Sequence, residues 1–276
     1  LFGKLEATDI ELIEAYMAKH LQEAIYLAQP VAAFKAGVLQ GALFGYIYEQ
    51  SLVGLFYFSN KRSLMLHYAD DIVLRNLSLL KAFNHYKPKY IKGLKKNMDG
   101  FYQVICRTVR GLKEDESFLM HYNGNVISQM TVPFHMLNAY TDKTKHLFND
   151  MTFFMRVEQH FGKNATTVHD IQKQLLERLN QQQYCLLYDN KDTFIAQGFI
   201  EEETDTLGII GGIYVSSAFR RQGLGSVILK QLTQTLLSKN KQAYLFVLIK
   251  NTDANELYEK IGYKAVETYS LFTIED

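Results

Sequence analysis

The spacing of apolar and polar residues changes period several times along the chain, and each change marks an element. Ile10, Ile13, Met17 and Leu21 recur at helical spacing. Thr8 and Glu11 ahead of them read as a capping box, so a helix is predicted there. Three strand-like runs follow at 42–48, 52–58 and 63–68, joined by short turns as in an antiparallel meander. Asp70 and Asp71 then open a predicted helix with Val73, Leu77 and Leu80 on one face. A Lys-rich segment and a strand-like run at 101–109 close this half.

The second half repeats the order. Helices are predicted over 144–161 and around Val168, Ile171, Leu175 and Leu179, and strands at 184–188, 193–201 and 206–215. Leu224, Val227, Ile228 and Leu232 form one face of the next helix. A strand at 243–249, a short helix at 253–261 and a last strand at 263–273 follow. Meanders followed by single alternation predict an α+β layered sheet rather than a doubly wound one. The shared order of elements suggests an internal duplication. Pro133 interrupts the pattern, which sets the expected division at 1–130 and 131–276.

Composition narrows the class. Apolar residues make up 47% of the 276 and charged residues 21%, enough for a real core without a low-complexity tail. A net charge of +1 with dispersed Lys and Arg favours neither a nucleic-acid nor an anionic-membrane surface. No stretch approaches a membrane span, and a cytoplasmic location is expected. Cys106 and Cys185 have no metal spacing and read as ordinary thiols in a reducing compartment. The eight His, including His67, His121, His135, His160 and His169, show no paired ligand spacing, so no metal is expected. Lys87, Lys89, Lys92, Lys95 and Lys96 read as a solvated face.

The segment with the most chemistry runs from Gly211 to Gly225. An apolar strand ends at Val215, and a polar loop leads to Arg220-x-x-Gly223-x-Gly225 at the start of an amphipathic helix. Glycines allow tight turns and remove side chains that would hold a phosphate away. The first helical turn offers unpaired N–H groups and the positive end of the dipole. Arg220 and Arg221 add charged donors, so the loop reads as a diphosphate cradle or as a plain connection. Downstream, Ala254, Leu257, Tyr258 and Ile261 share a helix face, which turns Tyr258 inward as a core aromatic or as a phenol at a cleft.

Taken together, Arg220-x-x-Gly223-x-Gly225 after a strand, then Asn251, then Asn255-x-Leu257-Tyr258-x-x-Ile261-Gly262-Tyr263, resemble the GNAT superfamily of N-acetyltransferases. The resemblance covers about residues 144–276, and the whole chain is similar to bacterial two-domain acetyltransferases with a degenerate N-terminal GNAT-like half. It implies two tandem GNAT-like halves, each with a mixed, mainly antiparallel sheet flanked by helices. It further implies acetyl-CoA as donor, no metal, and a small-molecule primary amine as acceptor. Backbone groups of Ile213, Tyr214 and Val215 would pair with the pantetheine arm. Arg220, Arg221, Gln222, Gly223, Leu224, Gly225 and Ser226 would hold the pyrophosphate. Asn251 and Asn255 would contact the donor where two strands splay, and Tyr258 would protonate the departing thiolate.

Many members of the superfamily carry a Glu where this chain has residues 208–210. No carboxylate stands there, and Glu201, Glu202, Glu203 and Asp205 read as a solvated acidic hairpin that reaches the site at most through water. The general base is therefore open. In the first half the equivalent junction reads His67-Tyr-Ala-Asp-Asp71, with no glycine and two carboxylates where a phosphate would sit, so that half is expected to bind no CoA. An acyl-CoA sensor or scaffold without turnover is the alternative reading. Aminoacyl transfer from charged tRNA, which also uses paired GNAT-like halves, fits poorly with the near-neutral charge.

Overall fold

The computed structural model describes residues 1–124, 135–137, 177–178, 181, 183–191 and 193–275. Contacts divide the chain into two compact units. The N-terminal unit comprises Leu1–Leu119, Val247–Asn251 and Ala265–Asp276, and the C-terminal unit Met120–Phe246 and Thr252–Lys264. The last strand of the chain thus groups with the N-terminal unit. The division expected between residues 130 and 131, and the helices expected over 144–161 and 168–179, lie outside the described residues, as do His160 and His169.

The N-terminal unit runs β1 (Phe2–Lys4), α1 (Ile10–His20), α2 (Ala28–Lys35), β2 (Gly41–Tyr48), β3 (Ser51–Ser59) and β4 (Ser63–Tyr68). Then come α3 (Leu77–Tyr86), β5 (Tyr90–Leu94), α4 (Lys95–Ile105) and β6 (Leu112–Tyr122). Its strands lie in the order β1-β2-β3-β4-β5-β12-β6, where β12 is Tyr263–Ile274. The first four pair antiparallel, and β4 runs parallel to β5 from Ser63↔Tyr90 to Leu66↔Gly93. Each face of this sheet carries a core. Ile13, Tyr16 and Met17 of α1 close on Leu43, Leu52, Leu55 and Tyr57. On the other face Leu79 and Phe83 of α3 and Met98, Phe101 and Ile105 of α4 close on Phe56, Phe58, Leu64, Leu66 and Ile91. Burying one such side chain contributes about 1.5–3 kcal/mol.

Several expected elements are corrected here. The capping interaction at the start belongs to Glu6 and Asp9, whose carboxylate takes the Glu6 N–H at 2.8 Å, and not to Thr8 and Glu11. Asp70 caps only a short 3₁₀ turn, Asp71–Arg75, and the true helix α3 restarts behind Asn76, whose side chain accepts the Ser78 N–H at 2.8 Å. Leu77 is accordingly exposed, and Leu79 and Phe83 form the buried face. The strand expected at 101–109 is the end of helix α4, because Met98, Phe101 and Ile105 bury at helical spacing. The Lys-rich segment contains β5, and the next strand is β6.

In the C-terminal unit the elements are β7 (His135–Leu137), β8 (Tyr184–Tyr188), β9 (Phe194–Glu203), β10 (Leu207–Val215), α5 (Leu224–Ser238), β11 (Gln242–Leu248) and α6 (Thr252–Ile261). The strands follow the order β11-β10-β9-β8-β7, antiparallel except for β10 with β11. Helix α5 lies close on β9 and β10 because two glycines face it. A Cβ on Gly198 would stand 2.5 Å from Ile228, and one on Gly208 2.3 Å from Leu236. Leu224, Val227, Ile228, Leu229, Leu232 and Leu236 of α5 are buried in that contact.

Candidate functional site

Among the described residues of the C-terminal unit, the pairing of β10 with β11 stops part-way along β10. Parallel pairing of β10 with β11 covers Leu207↔Gln242 to Ile210↔Leu245. Beyond that point β10 bulges against β9, between Gly211↔Phe199 and Tyr214↔Gln197. The bulge needs Gly212, whose φ is +60° and whose added Cβ would meet the Phe199 ring at 2.1 Å. Such a bulge bends its strand and raises the local twist.

The backbone of that segment is oriented by its neighbours. Ser216 donates its N–H to Ile195 of β9 at 2.8 Å, so strand alternation turns the N–H and C=O of Val215 to the opposite edge. Its carbonyl accepts Arg220 Nε at 3.0 Å, and the guanidinium lies 5.8 Å from the Tyr214 ring centre. Tyr214 is itself buried and stacked on Phe194.

The loop then turns into α5 through two left-handed residues, Arg221 (φ +65°) and Gly223 (φ +76°). Alternation of this kind makes a concave nest of N–H groups suited to an anion. Ser226 and Val227 donate to Gly223 O at 3.0 and 3.3 Å, while the amides of Leu224 and Gly225 occupy first-turn positions without an intrahelical acceptor. Arg220, Arg221, Gln222 and Gly223 are exposed, Leu224 and Gly225 buried, and Ser226 half-buried. Arg221 pairs with Asp253 across 3.0 Å at the surface. Gly225 has room for a methyl group, since its added Cβ would meet Leu257 at 3.4 Å, so packing does not demand a glycine there.

Two further groups bear on the chemistry. Tyr258 on α6 is half-buried and its ring lies 6.5 Å from that of Tyr263. Burial pushes its hydroxyl up to about 12, so it stays protonated at neutral pH. Glu201 is the residue that sequence reasoning set aside. On β9, Ile200 pairs with Ile210 and Glu202 with Ile209, so Glu201 is the extra residue of a second bulge. Its carboxylate lies over Gly211 so closely that a Cβ there would stand 2.8 Å from Oε2. A bulge is a register event and leaves no pattern in composition or periodicity. Glu203, by contrast, is spent on Lys239 at 3.0 Å and Lys241 at 2.7 Å.

Of the remaining expected residues, Asn255 is half-buried on α6. Asn251 is exposed in the loop after β11, donates its N–H to Leu248 O at 2.9 Å, and groups with the N-terminal unit.

In the N-terminal unit the corresponding strand pair is closed. Past Leu66↔Gly93, the buried side chain of Asn97 donates to the Tyr68 carbonyl at 2.8 Å, and the Tyr68 hydroxyl donates to the Asn97 carbonyl at 2.7 Å. Asp70 then caps the following turn through Ile72 N–H.

Solved structures share the fold of the chain. An acetyltransferase of the GNAT family from Colwellia psychrerythraea superposes with a TM-score of 0.61 over 100% of both chains at 11% identity. A GCN5-related N-acetyltransferase from Sphaerobacter thermophilus gives 0.67 over 99% of this chain and 94% of its own at 12% identity. A tandem GNAT protein from the clavulanic acid biosynthesis pathway gives 0.58 over 100% and 98% at 10% identity. The chain has the tandem GNAT fold. Residues 187–271 of this GNAT-fold chain also match the family model of FR47-like protein. A curated relative, the chloroplastic GCN5-related N-acetyltransferase 6 of Arabidopsis thaliana, is 34% identical over 77 residues. That match spans 28% of this chain and 27% of the relative's length.

The end of β10 and the start of α5 offer groups that fit an acyl-CoA: the strand leads directly into a nest of amides, and Gly225 keeps the first helical turn bare. Among the described residues no helix is long and apolar enough to cross a membrane.

Proposed function

We propose that the C-terminal unit is an N-acyltransferase that moves an acetyl group from acetyl-CoA to the primary amine of a small molecule. The observation that carries this reading is the run of β10 past its last pair with β11 at Ile210, through the bulge at Gly212, into the nest at the start of α5. The pantetheine arm pairs with the backbone of Ile213, Tyr214 and Val215, and the pyrophosphate sits on the amides at 221–226. Arg220 and Arg221 supply charge, and Asn255 contacts the donor further along.

Glu201 is the base in this proposal. Its carboxylate lies against Gly211, so a strand that carries no acid of its own receives one from its neighbour. Directly or through one water, Glu201 takes a proton from the amine. The amine nitrogen attacks the thioester carbonyl, the C–N bond forms, and the Val215 N–H stabilises the oxyanion. The C–S bond breaks, Tyr258 gives its proton to the departing sulfur, a role suited to a phenol that burial keeps protonated, and the phenolate recovers a proton from the nitrogen as it becomes the amide.

Calorimetric titration with acetyl-CoA tests the reading, beside a folded Arg220→Glu, Gly223→Glu double variant. Saturable binding lost in the variant supports it, and no binding by the wild type overturns it. With an amine that turns over, Tyr258→Phe and Glu201→Gln should each lower kcat by about 10²–10⁴-fold, the range for lost general acid–base catalysis. Acetyl-CoA affinity should hold in both. Binding without turnover across a broad amine panel would favour an acyl-CoA sensor instead.

A further inference from the structure

We propose that His20, Glu23 and His67 of the N-terminal unit form a binding site for a divalent transition-metal ion, Zn²⁺ by the chemistry of the ligands. His20 ends α1, Glu23 follows in the next turn, and His67 comes from β4. The fold brings together residues up to 47 positions apart, which is why no spacing in the chain announces the set. One ligand atom from each lies within 4.8 Å of the others, with His20 Nδ1 at 2.9 Å and His67 Nε2 at 3.5 Å from Glu23 Oε2. Donors around a tetrahedral zinc ion stand roughly 3.3–3.5 Å apart, so small rotations suffice.

The second observation is the state of His67. Its side chain is fully buried, and Nε2 makes no hydrogen bond although it faces the Glu23 carboxylate. Nδ1 lies 2.6 Å from the Tyr16 hydroxyl, and that hydroxyl also donates to the His67 carbonyl at 3.2 Å. In the tautomer that protonates Nδ1, the ring donates to the phenol, the Tyr16 proton goes to the His67 carbonyl, and Nε2 carries the lone pair. This is how a metal-binding imidazole is usually oriented, by a partner on its other nitrogen. In that tautomer the Nε2 lone pair faces the Glu23 carboxylate across 3.5 Å, an arrangement that a cation between them stabilises.

Two imidazoles and one carboxylate suit zinc, whereas Mg²⁺ and Ca²⁺ prefer oxygen donors throughout. Three protein ligands leave a fourth position for water. His20 and Glu23 are partly exposed, which gives an ion a path in. Lys96 holds the other oxygen of Glu23, Oε1, at 3.0 Å and competes with the ion by its charge, but its long side chain is mostly exposed and free to withdraw.

The site also has a place in the fold. His67 follows the last parallel pair of the N-terminal unit, Leu66↔Gly93, as Gly211 follows Ile210↔Leu245 in the other. Where one unit opens a strand edge, the other inserts a ligating side chain.

The test uses the full chain, stripped with a chelator and titrated calorimetrically with Zn²⁺. Saturable binding of one ion is expected, with no matching response to Mg²⁺, and Co²⁺ should give the intense visible absorption of a four-coordinate site. His20→Ala and Glu23→Gln, both at partly exposed positions, should each weaken Zn²⁺ binding at least ~10-fold, and Tyr16→Phe by about 10–100-fold as an orienting partner. Lys96→Met should tighten it. His67→Ala is informative only if circular dichroism shows it folded, and the His20 and Glu23 variants carry the test without it. The absence of saturable Zn²⁺ binding by folded wild type would overturn the proposal. So would binding unchanged in both His20→Ala and Glu23→Gln, since the ion would then sit on other side chains.

Discussion

Two glycines in one loop do different jobs, and that difference makes the donor site testable. Gly223 is required by its backbone, at φ +76° with nothing near its Cβ position. Gly225 stands in the first turn of α5 with room for a methyl group. Replacing a helical glycine by alanine ordinarily stabilises by roughly 0.5–1 kcal/mol. Gly225→Ala should therefore melt no lower than the parent, yet lose about tenfold or more in acetyl-CoA affinity because its methyl group covers the amides meant for phosphate. Thermal melting and calorimetry on the same sample read both effects. Unchanged affinity would move the pyrophosphate off this turn. The sequence motif named Gly223 and Gly225 alike, but the reason each is glycine lies in φ and in neighbouring atoms, which no motif records.

The β9–β10 hairpin is held at its far end by Glu203, and that element has its own signature in acid. Burial by itself would raise the Glu203 carboxyl, but hydrogen bonds from Lys241, Gln183 and Lys239 outweigh it and bring the group down to about 2 from an ordinary value of 4.5. Between those values the unfolded chain binds more protons than the folded one, so stability rises with pH. The contribution is complete above about pH 4.5 and is lost as pH falls through about 2. Glu203→Gln should lower stability at pH 7 and flatten its dependence on pH across this window, as read by urea unfolding at a series of pH values. A variant with the parent's slope would assign the acid sensitivity to other carboxylates. Elements of this kind were legible where period and turns agree: β2 to β4 and β8 to β11 fall within a residue or two of expectation, and α5 buries the face expected of it. Helix α4 was not, because Phe101, Ile105 and Val109 satisfy a strand reading until Met98 and Asn97 are seen to bury with them. The bulges at Glu201 and Gly212 escaped as well, since register depends on which strand lies alongside. With them went Glu201 as a candidate base, since its place over Gly211 depends on that register.

At the scale of the whole chain, two units share an order of strands and helices but not a ligand site. In the C-terminal unit β10 leaves β11 and ends in a glycine-bearing nest; in the N-terminal unit Asn97 binds both backbone polar groups at Tyr68 and two carboxylates follow at Asp70 and Asp71. A pantetheine arm entering there would have to displace buried hydrogen bonds, each worth about 0.5–1.5 kcal/mol net and more if its partner is left unsatisfied. A pyrophosphate would then meet negative charge. The chain should accordingly bind one acetyl-CoA, not two, and Arg220→Glu with Gly223→Glu should abolish all of that binding rather than half. Asp70→Asn with Asp71→Asn should leave both stoichiometry and affinity as they were, because relieving the charge does not open the strands. Titration of the three proteins at matched concentration separates the cases. A stoichiometry near two, or residual binding in the Arg220, Gly223 variant that vanishes only when the N-terminal unit is changed, would mean that the cleft Asn97 closes opens for the ligand. The contrast between the halves would then be one of occupancy rather than capacity.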